Sequence, residues 1–142
     1  MCGIAGMIDH RASGSGETLA SMLSWLQARG PDGIGTYVDG ALAIGMRRLS
    51  IIDLEHGWQP LRSLDGAIVA FQNGEIYNYR ELRRELEASR FTFTTQSDTE
   101  VLAHGYAAWG IDGLLARLDG MYALAILDRR SGELHLARDP FG

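Results

Sequence analysis

One cysteine occurs in the chain, at position 2, between the opening methionine and a glycine that leads a short apolar run, MCGIAGMI. A free thiol of pKa about 8.5 is only a few per cent ionised near neutrality, so a nucleophilic cysteine needs a base beside it. Histidine is the usual base, but the spacing of His10, His56, His104 and His135 singles out none of them. With Met1 removed, the residue would carry its own base, because a free α-amino group has a pKa of roughly 7.7–8.0. The opposing reading is that an unpaired cysteine at the start of an apolar strand is buried and inert.

Three further stretches carry groups with chemical potential. In QNGEIYN, residues 72–78, Asn-Gly alone reads as a hairpin turn, yet the residues after it read as a helix and not as a returning strand. An asparagine amide and the N–H of the next glycine, Asn73 and Gly74, are two neutral donors able to converge on a developing oxyanion. In SDTE, residues 97–100, Ser97 and Glu100 match a capping box, which leaves Asp98 near the positive end of a helix as a carboxylate for a ligand ammonium. In RRLSIID, residues 47–53, one arginine is expected to be solvated, and the other offers a planar fork suited to a carboxylate. RGPDG, residues 29–33, is accounted for by a turn.

Regular elements must bring these groups together. Residues 3–8 read as a buried strand, broken by RASGSG; Leu19, Met22, Leu23 and Leu26 then recur at helical spacing up to the Gly30-Pro31 turn, with Trp25 packing along the helix edge. IGTYV, ALAIGM and RLSII predict an antiparallel meander, followed by a loop, DLEHGWQPL, and a strand, AIVAFQ. A helix is predicted over 79–88, a short strand at FTFTT, a second helix over SDTEVLAHGYAAWG, and paired strands MYALAILD and ELHLARD around RRSG. Neighbouring strands that look hairpin-linked favour antiparallel sheets with helices on their outer faces.

Composition narrows the function classes. The 142 residues are 46% hydrophobic, enough for one core and one domain. With 13 basic and 18 acidic side chains, a net charge of -5 and no basic run, nucleic acid is not an expected partner. The lone cysteine, the polar first twenty residues and the lack of a run of about 18 apolar residues point to a reducing cytoplasm, without membrane insertion. The 18 glycines, against about ten at ordinary usage, predict tight turns and close backbone approaches. Four scattered histidines give no metal-ligand spacing, and neither SGSG at 13–16 nor any GxxxxGK[ST] motif supplies a nucleotide loop.

Taken in order, MCGIAG, RGPDG, RRLSIID, Gln59-Pro60, NGEIYNYREL, SDTE, LDGMYALAILD and ARDPFG resemble the glutaminase domain of the asparagine synthetase family. These are class II glutamine amidotransferases, among the N-terminal-nucleophile hydrolases, and the resemblance runs along essentially the whole chain. It implies an α+β fold, a four-layer αββα sandwich of two antiparallel sheets over residues 2–142, and removal of Met1. It also implies that the Cys2 thiolate attacks the side-chain amide of glutamine, that ammonia leaves, and that water hydrolyses the γ-glutamyl thioester. By position, Cys2 would be the nucleophile and its amine the base, with Asn73 and Gly74 the oxyanion hole. Arg48, which directly precedes LSI, would hold the α-carboxylate, and Asp98 with Glu75 the α-ammonium. Met46 departs from the histidine that many relatives place before the arginine pair, and is expected to alter packing more than chemistry.

The abrupt end after ARDPFG fits the N-terminal part of a longer synthetase. By the resemblance, ATP and Mg belong to that synthetase domain and no cofactor to this one. Two alternatives stand beside this reading: a non-catalytic glutamine-binding or docking module, which a retained Met1 would produce, and the amidotransferase half of a sugar or phosphoribosyl enzyme, which NGEIYN and RRLSIID fit less well. The acceptor of the ammonia and the oligomeric state are not legible in the residues.

Overall fold

The computed structural model describes residues 2–10 and 15–141; Met1, most of the RASGSG break with the first half of SGSG, and Gly142 lie outside the described residues. Strand β1 (Gly3–Ile8) is followed by helix α1 (Ser15–Trp25), β2 (Gly33–Asp39) and β3 (Leu42–Arg48). These strands form an antiparallel sheet in the order β1-β3-β2, with Gly3 opposite Arg47 and Asp39 opposite Leu42. Strands β4 (Leu61–Arg62), β5 (Ile68–Ile76), β6 (Gly120–Asp128) and β7 (Glu133–Arg138) make the second antiparallel sheet in sequence order. Helices α2 (Tyr79–Ala88) and α3 (Asp98–Leu115) connect β5 to β6.

Alternate strand residues point to opposite faces, and here both faces of the central strands are covered. Leu19 and Leu23 of α1 pack on Ala43, Ala5 and Met7, on the outer side of the first sheet. Tyr37, Ile44 and Met46 meet Val69, Phe71, Ala125 and Leu127 between the sheets. Ile68, Ala70, Ile76, Leu124 and Ile126 face Leu82, Leu86, Val101, Leu102 and Leu114 of α2 and α3. Three apolar interfaces between four layers give the expected αββα sandwich. Met46 is fully buried in the apolar cluster between the sheets.

Several local expectations change. Of RLSII only Arg48 belongs to a strand: residues 49–52 leave the sheet and fold back so that the backbone carbonyls of Ile52, Asp53 and Leu54 reach the Arg48 guanidinium. FTFTT forms no strand, because the N–H and hydroxyl groups of Thr94 and Thr95 bond to the Glu100 carboxylate instead of to a neighbouring strand. The capping box is correspondingly incomplete. Ser97 Oγ accepts from the Thr99 N–H and caps α3, but Glu100 reaches Thr94 and Thr95 and not Ser97. Trp25 is exposed rather than packed. Helix α2 has the predicted bounds, and α3 continues past the predicted end with non-helical backbone at Gly110.

Among the described residues, no helix is long and apolar enough to cross a membrane, and no three His, Cys, Asp or Glu side chains gather as a metal ion would require.

Candidate active site

Because β1 starts beside the end of β3, Cys2 lies next to the segment leaving Arg48. The Leu49 N–H points at Sγ from 3.3 Å, and the thiol faces the Leu49 carbonyl at 3.6 Å. The sulfur-bearing residue is half-buried, at the end of the inter-sheet core, so it is neither sealed away nor open to bulk water. RGPDG does more than turn the chain here. Arg29 Nε donates to the Cys2 carbonyl at 3.0 Å, Asp32 Oδ2 accepts from the Ser50 N–H at 2.7 Å, and the Asp32 N–H donates to the Arg48 carbonyl at 3.0 Å. The turn thus ties Cys2 and the start of the 49–58 loop to one point.

Arg48 follows Ile44 and Met46 on the inter-sheet face of β3. Its Nη2 donates to the carbonyls of Ile52 (3.0 Å) and Asp53 (2.7 Å) and its Nη1 to that of Leu54 (3.3 Å), while the guanidinium lies 4.9 Å from the Trp58 ring centre. It is 4% exposed, and no carboxylate among the described residues pairs with it, so this buried cation is held by neutral dipoles. Such a site is suited to an incoming anion, which would supply the missing countercharge. Arg47, expected to be the solvated member of the pair if Arg48 was the binder, is also buried, with Nε lacking a partner. Adjacent strand residues point to opposite faces, so the two arginines part company, and Arg47 does not reach the recess.

Asp98 opens α3 and is 5% exposed. Its Oδ2 accepts from Gln72 Nε2 at 2.7 Å and from the Ile76 N–H at 3.0 Å; Oδ1 takes part in neither bond. Gln72 is in turn placed by Gln59, whose Oε1 accepts from the Gln72 N–H at 2.6 Å and whose Nε2 donates to the Gln72 carbonyl and to Thr99 Oγ1, both at 3.1 Å. Gln72, Gln59, Asp53, Arg29 and Asp32 all support the site, and chemistry-bearing spacing alone gives no reason to select them. All five stand in motifs quoted above, Arg29 and Asp32 in RGPDG, Asp53 in RRLSIID, Gln59 in Gln59-Pro60 and Gln72 in QNGEIYN, and that membership was the only available signal.

The Asn73-Gly74 pair is not a turn. Strand β5 runs through it to Ile76, pairing Asn73 with Ala123 and Gly74 with Tyr122. Gly74 has φ 145°, and a side chain there would run into the Met121 carbonyl, so both backbone conformation and close packing demand glycine. Asn73 lies on the same face as Val69 and Phe71, and its Oδ1 is buried without a partner.

Cys2, Arg48, Gly74, Glu75 and Asp98 line one partly open recess; Gln72, Gln59 and Thr99 contribute to its wall. Asn73 adjoins the recess through Gly74 without lining it. A thiol, a buried cation and a buried carboxylate around one recess suit a zwitterionic ligand with a reactive carbonyl.

A four-layer sandwich with a thiol at the leading edge of its first strand is the architecture of the N-terminal-nucleophile amidotransferases. The family model described as "Glutamine amidotransferase domain" matches residues 1–142, and the chain belongs to that family. It is 42% identical over 146 residues to asparagine synthetase [glutamine-hydrolyzing] 1 of Bacillus subtilis (strain 168), covering 100% of this chain and 23% of that protein. It is 41% identical over 160 residues to a putative asparagine synthetase [glutamine-hydrolyzing] of Mycobacterium tuberculosis (strain ATCC 25618 / H37Rv), covering 100% of this chain and 24% of the relative. Among solved structures it resembles the allosteric regulatory enzyme of purine biosynthesis, with TM-score 0.80, 27% identity, and 98% of this chain against 37% of that one. The glutamine phosphoribosylpyrophosphate amidotransferase of B. subtilis gives TM-score 0.73 at 27% identity, with the same coverages. The chain spans about a quarter of the length of these synthetase relatives.

Proposed function

We propose that this domain hydrolyses glutamine to glutamate and ammonia with Cys2 as nucleophile. After removal of Met1, the α-amine of Cys2 takes the thiol proton as sulfur attacks the side-chain amide carbon. The amide nitrogen receives that proton as the tetrahedral adduct collapses, and ammonia leaves a γ-glutamyl thioester. Water, deprotonated by the same amine, then attacks the thioester, and glutamate departs with the thiol restored. Asn73 and the Gly74 N–H receive the oxyanion in both steps. Arg48 binds the α-carboxylate, while Asp98 and Glu75 bind the α-ammonium.

One observation carries this reading: Arg48 and Asp98, opposite in charge and both buried, line the recess that holds the chain's lone thiol. Each pole of an amino acid's head group then finds an opposite charge out of water, where pairing is strong.

The released ammonia passes to an ATP- and Mg-dependent synthetase domain in the full-length protein, with asparagine the product. The 42% identity to a glutamine-hydrolysing asparagine synthetase favours this acceptor over a phosphoribosyl one, to which the structural likeness comes at 27% identity. An unpaired thiol nucleophile suits the reducing cytoplasm as its place of work.

Glutamate release from glutamine tests the reaction, with the first residue verified by intact mass. Material beginning at Cys2 should turn over, and Cys2→Ala or material retaining Met1 should not. Equal rates for the processed protein and Cys2→Ala would exclude the catalytic reading and leave a glutamine-binding module.

A further inference from the structure

Asp53 does not line the recess, yet it is bonded to the supports of both its charged poles. Its own carbonyl, with those of Ile52 and Leu54, holds the Arg48 guanidinium, and it also accepts the Gly57 N–H at 2.9 Å. The carboxylate of Asp53 closes this loop from the other side. Oδ1 accepts the His56 N–H at 3.0 Å, and Oδ2 accepts the Gln96 N–H at 2.7 Å. Gln96 is two residues before Asp98, just ahead of the Ser97 cap of α3. The bond therefore joins the loop that carries the cation to the helix start that carries the anion, 43 residues further along the chain.

The backbone at Asp53 shows that this arrangement is specified and not incidental. Its φ of 49° lies in the left-handed region, which aspartate tolerates better than most residues, and its side chain is only 8% exposed. Gly57, on the far side of the loop, has no room for a side chain, because a Cβ there would crowd Arg48 Nη2 and the carbonyls of Asp53 and Ile52. The loop is thus closed tightly around the guanidinium, with one carboxylate fastening it to the approach of α3.

We propose that Asp53 is a positioning residue that sets the separation between Arg48 and Asp98, and hence the fit of the amino-acid head group. This rests on the assignment of those two residues to glutamine binding. The carboxylate touches neither substrate nor thiol, so its removal should weaken binding without altering the chemistry at sulfur. Asparagine retains one acceptor and cannot accept both N–H groups, so it should restore only part of the effect.

The test compares Asp53→Ala, Asp53→Asn and, as a control, Glu55→Ala, which changes an exposed side chain of the same loop; His56 is left intact, because its ring lies 3.5 Å from Asp53 Oδ1. Expected are a KM for glutamine raised about tenfold or more by Asp53→Ala, an intermediate rise for Asp53→Asn, kcat within about threefold for both, and no change for Glu55→Ala. Calorimetric titration of L-glutamine into Cys2→Ala carrying the same changes should give the same order of Kd values. If Asp53→Ala does not fold, Asp53→Asn decides alone. An unchanged KM and Kd, or a fall confined to kcat, overturns the proposal. Glutamine binding that shows the predicted Kd order, with no Cys2-dependent hydrolysis in the parent protein, supports the role of Asp53 and overturns the catalytic reading.

Discussion

Gln72 and Asp98 face each other between β5 and the start of α3, and the Gln72 amide donates to Asp98 Oδ2 at 2.7 Å. The Ile76 N–H takes the same oxygen. One carboxylate oxygen is thereby held by the fold, and the other is left for the recess. Gln72→Leu removes a charge-assisted bond of roughly 1.5–3 kcal/mol and lets the carboxylate turn. Steady-state kinetics should show KM for glutamine up by about tenfold with kcat within a few-fold. An unchanged KM would mean that Asp98 needs no such support.

The two adjacent arginines should respond in opposite ways. Arg48→Lys cannot reproduce a fork held by three carbonyls and laid over Trp58, and kcat/KM should fall by about 100-fold, mainly through KM. Arg47→Met instead removes a buried, unpartnered Nε. Activity should stay within about threefold, and urea unfolding should show stability unchanged or higher by about 1 kcal/mol. Loss of glutaminase activity in Arg47→Met with Arg48→Lys unaffected would reverse the assignment.

Gly74→Ala places a methyl group against the Met121 carbonyl at a backbone angle that alanine avoids. The end of β5 must shift away from β6, at a destabilisation of about 2 kcal/mol or more. Because the Gly74 N–H moves with it, glutamate release should drop at least 100-fold even where circular dichroism shows the fold retained.

Acid stability should depend on Glu100. Burial pushes its carboxyl up, but the His104 ring 3.5 Å away and the hydrogen bonds from Thr95 and Thr94 together outweigh that and lower it to about 2, from an ordinary value of 4.5. A carboxylate held down in the folded state stabilises fully above the unfolded value, and that contribution is lost as pH falls from about 4.5 towards 2. Glu100→Gln should destabilise the protein at pH 7 by on the order of 1–3 kcal/mol, since the amide cannot accept all four donor bonds from Thr94 and Thr95. The difference from the parent protein should narrow on acidification, as urea midpoints measured between pH 7 and pH 3 would reveal.

Local patterns in the residues were enough for much of the framework. The apolar period of 3.6 at Leu19 and Leu23, the bounds of α2, and the hairpin of β6 and β7 each depend on neighbours a few positions apart, which a linear reading can see. The order of short motifs added the family, and with it the choice of Arg48 over Arg47. Cys2, Arg48, Gly74, Glu75 and Asp98, singled out in this way, do share one recess.

What the linear pattern left undecided is wherever a group's partner is not written in the local periodicity, whether it comes from far along the chain or from a side chain a few residues away. Asn73-Gly74 looks like a turn until β6, more than forty residues on, pairs with it and keeps it extended. FTFTT looks like a strand until Glu100 satisfies its donors, and RLSII looks like one until Arg48 draws in the carbonyls behind it. The supports for the charged poles, Gln72 on Asp98 and Asp53 on Gln96, span 26 and 43 residues. Backbone and side-chain polar groups must find partners once buried, and which partners are within reach is settled by how the two sheets and the helices stack. Residue order alone determined the chemical inventory and the periodic helices and hairpin of this domain; the packing of its four layers decided which groups meet, and so how the inventory becomes a site.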